Sequence, residues 1–292
     1  MIAIKKVLVA TDFSDRSRLA VSRAMVLCRE HGAHLEILHV IEELPPPDHL
    51  SMDQYMEKVR EQLKGEAAQA ISQEIPCHVQ CERGKGLNSI IRNARKVAAD
   101  LIVIGAHGQH LLLDKLLGTT ADNLIRQAEI PVLVVKQAAQ TDYGRVLVPT
   151  DFSDESRKAL HAAGSLAPAA SVDLLHVYGV EGEGQLSMAQ AGEEARKQYR
   201  QRTEIWAMMS MDEWRQGVNL DQDSVKQHVR KGYAPSAIIQ FAAEQQHDLV
   251  AMGTHGSSGL SRFLLGSVTE STLRTVHSDV LIVPAGLRTV SV

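Results

Sequence analysis

Aromatic residues and cysteines are scarce in this chain of 292 residues. Four Phe, two Trp and five Tyr leave the hydrophobic fraction of 44% largely aliphatic, which is typical of cores built on buried parallel strands. The three cysteines are an odd number, and Cys77 and Cys81 lie four residues apart on an extended segment, about 13 Å, too far for a disulfide. We therefore expect free thiols in the reducing environment of the cytoplasm.

Long apolar runs and an excess of positive charge are also lacking. No run reaches the roughly 18 apolar residues of a transmembrane helix, and Lys5 and Lys6 are not followed by the apolar stretch of a secretory signal. With a net charge of −4, the chain lacks the excess of basic residues that is typical of nucleic-acid-binding proteins. The sequence predicts a cytoplasmic protein that contacts neither membrane nor nucleic acid.

One glycine-spaced loop occurs twice. Gly105-Ala106-His107-Gly108 is followed after nine residues by Gly118-Thr119, and Gly253-Thr254-His255-Gly256 is followed after nine by Gly266-Ser267. The two copies are offset by 148 residues, and each follows a short apolar run that opens with an Asp. A strand that ends in glycines and leads to a Gly-Ser/Thr helix start can wrap backbone N–H groups around a phosphate.

A second repeat shows that the whole chain is duplicated. The segments 7–20 and 146–159 are identical at eleven of fourteen positions, at an offset of 139. The polar stretch 137–144 separates the copies, so we predict one domain over 1–138 and a second over 142–292. Strands alternate with helices in each half, which predicts an α/β fold with doubly wound parallel sheets.

The expected elements are similar in the two halves. Ser14 or Asp15 can cap the first helix, which stops near Gly32. Later strands are expected at Leu35–Val40, Pro76–Cys81, Val172–Tyr178 and Ser224–Val229. Helices are expected at Asp48–Ser72, Leu87–Ala99, Thr119–Ala128, Gln185–Gln216, Pro235–Gln246 and Ser267–Val276.

The repeated residues fall where ligands bind in such sheets, beyond the carboxyl ends of the strands. Asp12 and Asp151 follow the first strands and suit a ribose hydroxyl or an adenine edge. The glycines allow close backbone approach and positive φ, while Thr119 and Ser267 add hydroxyls at helix N-termini that favour phosphate. The competing interpretation makes the glycines tight turns and the Asp residues helix caps. Two copies with one spacing favour a nucleotide pocket.

The sequence contains little evidence for a catalytic site or a metal site. No Gly-x-Ser-x-Gly, Walker or first-strand Gly-x-Gly-x-x-Gly motif is present, and no repeat supplies a metal-ligand set. We assign His39, His176, His107 and His255 to structural or hydrogen-bonding roles. The methionines around Met208, Met209 and Met211 are expected to form a packing face.

The Val/Pro-Thr-Asp-Phe-Ser opening, the Gly-2x-Gly-9x-Gly-Ser/Thr loop and the closing Pro-Val-Leu-Val-Val strand resemble the universal stress protein family in its tandem form. The resemblance implies five parallel strands in the order 3-2-1-4-5 in each domain. It implies pairing of the domains through their fifth strands, and leaves a homodimer of whole chains open. It also implies binding of ATP, or of AMP or ADP, with Mg²⁺ as an additional candidate ligand and little turnover.

By this similarity, the site residues lie at matching positions of the two halves. In the second half they are Pro149, Asp151, Val177, Met252, Gly253, Gly256, Gly266, Ser267 and Val268. In the first half they are Asp12, Val40, Gly105, Gly108, Gly118 and Thr119.

The first half departs from the family pattern at four positions. Ala10 stands for Pro149, Leu111 for Gly259, Asp114 for Arg262 and Thr120 for Val268. A branched side chain in the loop and a carboxylate in place of a cation predict weaker phosphate binding there. We expect an adenine-nucleotide-binding stress or signalling protein whose better site is in the second half. The alternatives are an interaction scaffold without nucleotide and a slow ATPase.

Overall fold

The computed structural model describes residues 3–42, 51–106, 118–139, 141–179, 193–216, 225–255 and 265–287. Within these ranges, ten strands alternate with eight helices. The strands are β1 Lys6–Thr11, β2 His34–Ile41, β3 Cys77–Arg83, β4 Leu101–Gly105, β5 Val132–Val135, β6 Arg145–Pro149, β7 Ser171–Tyr178, β8 Val225–Lys231, β9 Leu249–Gly253 and β10 Asp279–Val283. The helices are α1 Asp15–His31, α2 Met52–Ile71, α3 Gly86–Val97, α4 Thr119–Gln127, α5 Asp154–Leu166, α6 Glu193–Gln216, α7 Ala234–Glu244 and α8 Ser267–Thr275.

The strands form one sheet in the order β3-β2-β1-β4-β5-β10-β9-β6-β7-β8. Each half contributes five parallel strands in the order 3-2-1-4-5, which confirms the fold class. The halves meet where β5 and β10 pair antiparallel, and both strands are fully buried. The fifth-strand pairing implied by the family resemblance is therefore present within a single chain.

Helices cover both faces of the sheet, and the strand sequences explain why. In β1, Val7 and Val9 pack on the face covered by α1 and α2, while Leu8 packs on the opposite face with α3 and α4. A strand buried on both sides needs a continuous apolar run rather than an alternating one. Aliphatic side chains therefore form most of the core on both faces of the sheet, in agreement with the small number of aromatic residues.

The Asp residues that open both fourth-strand runs join neighbouring strands. Asp100 Oδ2 accepts hydrogen bonds from the backbone N–H groups of Lys5 and Lys6, at 2.8 and 2.9 Å. Asp248 does the same for Gly144 and Arg145, at 2.8 and 3.1 Å. The first strand of each half is therefore anchored at its start by the fourth.

Several predicted boundaries were wrong by a few residues. β3 and β8 run on to Arg83 and Lys231, because edge strands continue through backbone pairing where the side chains are polar. Helix α2 starts at Met52 rather than near Asp48, behind a capping box made by Ser51 and Gln54. The start expected for the sixth helix, near 185, lies outside the described residues.

Helix ends and helix faces show the remaining differences. α3 and α7 end at Val97 and Glu244, two residues before the predicted ends. α4 and α8 end at Gln127 and Thr275, one residue early. The proposed methionine packing face is wrong in part, since Met211 is buried whereas Met208 and Met209 are exposed.

The three cysteines are free thiols. None of the helices in the described part of the chain is both long enough and apolar enough to cross a membrane.

Candidate functional site

The predicted site residues converge at the carboxyl edge of each half-sheet. β1 lies directly beside β4, and β6 directly beside β9, so the Asp after the first strand and the glycines after the fourth emerge together. The sequence separates Asp12 from Gly105 by 93 positions, and the parallel pairing removes that separation. This is the edge at which open parallel sheets bind ligands.

The turn after each first strand has one geometry in both halves. Asp12 Oδ1 accepts hydrogen bonds from the backbone N–H and the hydroxyl of Ser14, at 3.1 and 2.6 Å. Asp151 holds Ser153 in the same way, at 3.1 and 2.5 Å. The serines, in turn, are the N-caps of α1 and α5. The Asp carboxylates therefore fix the capping turn without being the caps.

Phe13 and Phe152 follow these Asp residues with φ of 63° and 67°. A bulky residue in the left-handed region is strained, and such strain persists where the surroundings fix it, often at functional sites. Both rings stack on a histidine of the next strand, Phe13 on His39 at 4.4 Å and Phe152 on His176 at 4.1 Å. The strained turn is thereby held from the side of β2 or β7.

Each of these histidines also binds the end of the first strand. His39 Nδ1 lies 2.8 Å from the carbonyl oxygen of Thr11, and His176 Nδ1 lies 2.8 Å from that of Thr150. Because a carbonyl only accepts, Nδ1–H is the donor. Burial lowers the pKa of both imidazoles and favours their neutral forms. Their role is structural, as expected.

The glycines that end β4 and β9 are required by packing. A Cβ on Gly105 would meet the carbonyl oxygen of Arg16 at 2.9 Å, and one on Gly253 would meet Glu155 Cβ at 2.9 Å. Neither Gly105 nor Gly253 uses the positive φ that glycine tolerates. The positive-φ glycines in the described ranges are Gly32, Gly84 and Gly232. The loop glycines instead allow the helix after the first strand to lie close to the fourth.

The glycines at the far end of each loop have a different environment. Gly118 and Gly266 are the N-caps of α4 and α8, with φ of −62° and −60°, and neither helix has a side-chain cap. Among the described residues, the nearest neighbour of a Cβ on Gly266 would be 3.5 Å away, so neither their packing nor the backbone conformation requires glycine there. α8 thus presents uncapped N–H groups beside Ser267, at the dipole's positive end.

The two ends of each loop are tied together at their base. Gly118 N–H donates to Ala106 O at 3.1 Å, and Gly266 N–H donates to Thr254 O at 2.8 Å. Thr269 Oγ1 also donates to Gly253 O at 3.0 Å. The strand end and the helix start are therefore adjacent, as a phosphate-binding loop requires.

The other predicted residues fall into two groups. Val40, Val177 and Val268 are partly buried on the sheet face that carries α3 and α4 or their counterparts, and Met252 is buried there. Pro149 ends β6. The loop interiors lie outside the described residues, and with them the predicted positions His107, Gly108, Leu111, Asp114, Gly256, Gly259 and Arg262.

His255 lies at the start of the second loop. Its Nδ1 lies 2.9 Å from Thr254 Oγ1, a contact that fits the loop-fixing role expected for it. Among the described residues, no three or more His, Cys, Asp or Glu side chains are grouped so that they could hold a metal ion. Sequence reasoning missed the Phe–His stacking and the strained turns, although Phe13 and His39 both recur in the repeat.

The chain was compared with known proteins. A sequence profile of the universal stress protein family matches residues 3–136 and again 142–284. A universal stress protein of Mycolicibacterium smegmatis is 29% identical over an alignment of 297 positions, which covers 95% of this chain and 96% of that protein. Universal stress protein A homolog 1 of Coxiella burnetii is 33% identical over an alignment of 147 positions, which covers 45% of this chain and 95% of that protein.

A solved universal stress protein from Archaeoglobus fulgidus shares the fold. It has a TM-score of 0.65 at 20% identity and covers 95% of each chain. The profile matches both halves, each with the same strand order and the same edge geometry. The chain therefore belongs to the universal stress protein family, with two family domains in tandem.

Proposed function

We propose that the chain binds an adenine nucleotide at the carboxyl edge of its second half and acts as a stress-response or signalling protein. The proposed domains are 1–138 and 142–292. The phosphates would lie against the uncapped N-terminus of α8, at Gly266, Ser267 and Val268, and against the loop glycines Gly253 and Gly256. Pro149, Asp151, Val177 and Met252 would surround the adenine and ribose.

One observation carries this proposal: Gly266 has no structural reason to be glycine. Its φ is allowed for any residue, and a Cβ would make no close contact with the residues that the structure describes. A missing side chain at an uncapped helix start is useful to a ligand that must approach the backbone. An anion such as a phosphate meets that description.

The first half offers a similar but weaker site. Its proposed contacts are Asp12, Val40, Gly105, Gly108, Gly118 and Thr119. Leu111 and Asp114 replace Gly259 and Arg262 in its loop, which removes a cation and adds a carboxylate near the phosphates. A carboxylate repels phosphate, so we expect the second half to bind more tightly.

Gly266→Val tests the proposal, with Gly118→Val as the matched control in the other half. Calorimetry with ATP, ADP and AMP on the full chain, with and without Mg²⁺, measures the affinity for each nucleotide. We expect Gly266→Val to lower the affinity of the tighter site by about tenfold or more. Gly118→Val should leave the tighter binding event unchanged. The reverse pattern would overturn the assignment to the second half.

The same titration separates the alternatives. No saturable nucleotide binding by the parent protein would favour a scaffold without ligand. Phosphate release measured in parallel reports turnover, which we expect to be slow, because the one described candidate for a base, His255, contacts Thr254 Oγ1 at 2.9 Å in a way that fits loop fixing. Rapid release would make the protein an ATPase.

A further inference from the structure

A cavity of about 360 Å³ lies between α1 and α2, on one face of the first half-sheet. Phe13 and Val21 form apolar wall, while Arg18, Gln62 and Glu66 supply polar groups. Gln62 and Gly65 are exposed, so the cavity opens to solvent along α2. It lies between two helices, and its volume falls in the range of small-molecule sites.

Glu66 has an unfilled hydrogen-bonding capacity in this cavity. Its Oε1 accepts a hydrogen bond from Thr11 Oγ1 at 3.3 Å. Its Oε2 is buried and has no partner among the described residues. A buried carboxylate oxygen without a donor is costly, which points to a donor supplied from outside the chain.

In the second half, a side chain occupies the position that corresponds to Glu66. At the offset of 148, the buried residues Val59 and Leu63 of α2 correspond to Ala207 and Met211 of α6, and Glu66 corresponds to Trp214. Trp214 is 5% exposed, so its indole is enclosed in the position where the first half has a carboxylate.

The neighbours of the indole are the same residue types in both halves. The Phe152 ring centre lies 6.5 Å from that of Trp214, and the Arg157 guanidinium lies 5.5 Å from it. At the offset of 139, Phe152 corresponds to Phe13 and Arg157 to Arg18. The first half therefore keeps the walls of an indole site, lacks the indole, and carries a carboxylate in its place.

We propose that this cavity binds a small aromatic amine, whose ring lies against Phe13 as Trp214 lies against Phe152 and whose ammonium group pairs with the Glu66 carboxylate. The charges favour a cation. Arg18 is already paired with Asp15 at 3.1 Å, on the exposed side of α1, whereas Glu66 Oε2 has no partner within the described part of the chain. The proposal does not depend on nucleotide binding.

The pH dependence of binding follows from the groups that face Glu66. Burial raises its pKa to about 7, the hydrogen bond from Thr11 and the charge of Arg18 oppose this rise, and Asp12 adds to it. From β3, the Cys77 thiol also faces this carboxylate. An ammonium ligand binds the ionised form, so affinity should rise as the pH increases through about 7 and then level off.

Tryptamine is a suitable probe, and its neutral isostere tryptophol is the matched control. The binding of each compound to the full chain is measured by calorimetric titration. Tryptamine should bind, and tryptophol should bind about tenfold more weakly because it lacks the charge-assisted contact. Glu66→Gln should reduce tryptamine affinity by a similar factor and abolish its pH dependence. Glu66→Trp restores the residue of the second half and should abolish binding.

Thermal unfolding of both variants checks that each remains folded, and Glu66→Gln decides the outcome if Glu66→Trp does not fold. Absence of saturable tryptamine binding to the parent protein would overturn the proposal. Equal affinity for tryptamine in the parent and in Glu66→Gln would also overturn it, as would binding that survives in a folded Glu66→Trp variant.

Discussion

At the scale of single residues, a small unit recurs at the end of each first strand. It combines an Asp, a Phe in a strained conformation and a histidine from the next strand. The histidine donates to the strand-end carbonyl and stacks on the Phe ring, so it holds the turn from two directions. The unit leaves the Asp carboxylate at the sheet edge with its position fixed.

The buried imidazole of His39 should make stability depend on pH. Its pKa in the folded chain is lowered from 6.5, chiefly by burial, so the unfolded chain takes up a proton first as the pH falls. Its stabilisation is therefore present above pH 6.5 and is lost below it. His39→Gln keeps a donor for Thr11 O but does not titrate.

Urea unfolding of the parent protein and of His39→Gln, from about pH 7.5 to about pH 5.5, measures this effect. The parent protein should lose more free energy of unfolding over this range than the variant does. His176→Gln should behave in the same way, because the second half repeats the contact. Parallel pH profiles for parent and variants would contradict the prediction.

At the scale of elements, the helices at the sheet edge differ in how they begin. α1 and α5 are capped by Ser14 and Ser153, each accepting from a backbone N–H at 3.2 Å. α4 and α8 begin at glycines without a side-chain cap. The helices that follow the first strands are thus capped, whereas the two helix starts proposed to bind phosphate are not, a property that they share with α3 and α7.

Ser14→Ala should lower the free energy of unfolding by about 1 kcal/mol, since it removes the cap of α1. Ser14→Asn is the control, because its amide can both accept from Ser17 N–H and donate to Asp12. Denaturant titration of the full chain should show the loss for Ala and little change for Asn. Equal losses would mean that the cap contributes no stability.

Much of this arrangement was predictable from the sequence, because apolar runs and repeated glycines are local signals. Strand order and the meeting of Asp12 with Gly105 followed from the family resemblance and the parallel sheet. Edge-strand ends were not predictable, since backbone pairing leaves no side-chain pattern. The consequence of Glu66 replacing Trp214 was also hidden, because it appears only when α1 and α2 pack together.

At the scale of the whole molecule, the junction between the halves is nearly symmetric. Leu133 pairs with Leu281, its own counterpart at the offset of 148, so a pseudo-twofold axis passes through this pair. Two ion pairs across the junction are reciprocal as well. They are Arg126 with Glu270 at 3.9 Å and Arg274 with Asp122 at 3.7 Å. Such self-complementary contacts are those of a twofold dimer, here formed within one chain.

Asp279 breaks this symmetry, since the first half has Pro131 at the same position. Its carboxylate is fully buried. Oδ1 accepts from the backbone N–H groups of Lys136 and Gln137, at 2.8 and 3.2 Å, and Oδ2 accepts from the Tyr143 hydroxyl at 2.6 Å. The role of Asp279 could not be predicted from the sequence, because the partners of its carboxylate lie more than a hundred positions away.

Arg23 of α1 completes the cluster. Its Nε lies 3.4 Å from Asp279 Oδ2, its Nη1 donates to Thr141 O at 2.7 Å, and its guanidinium lies 4.1 Å from the centre of the Tyr143 ring. The first helix, the connection between the halves and the last strand therefore meet at one buried ion pair. Loss of either charge would leave the other buried and uncompensated.

A double-mutant cycle on Arg23→Met and Asp279→Asn tests whether this pair locks the halves together. Each single variant should cost about 3–5 kcal/mol, because it strands a buried charge. The double variant should cost clearly less than the sum, since Met refills the space and Asn keeps the Oδ1 acceptor for Lys136 and Gln137. Additive losses in urea unfolding of the full chain would show that the two charges act independently and that this pair does not lock the halves together.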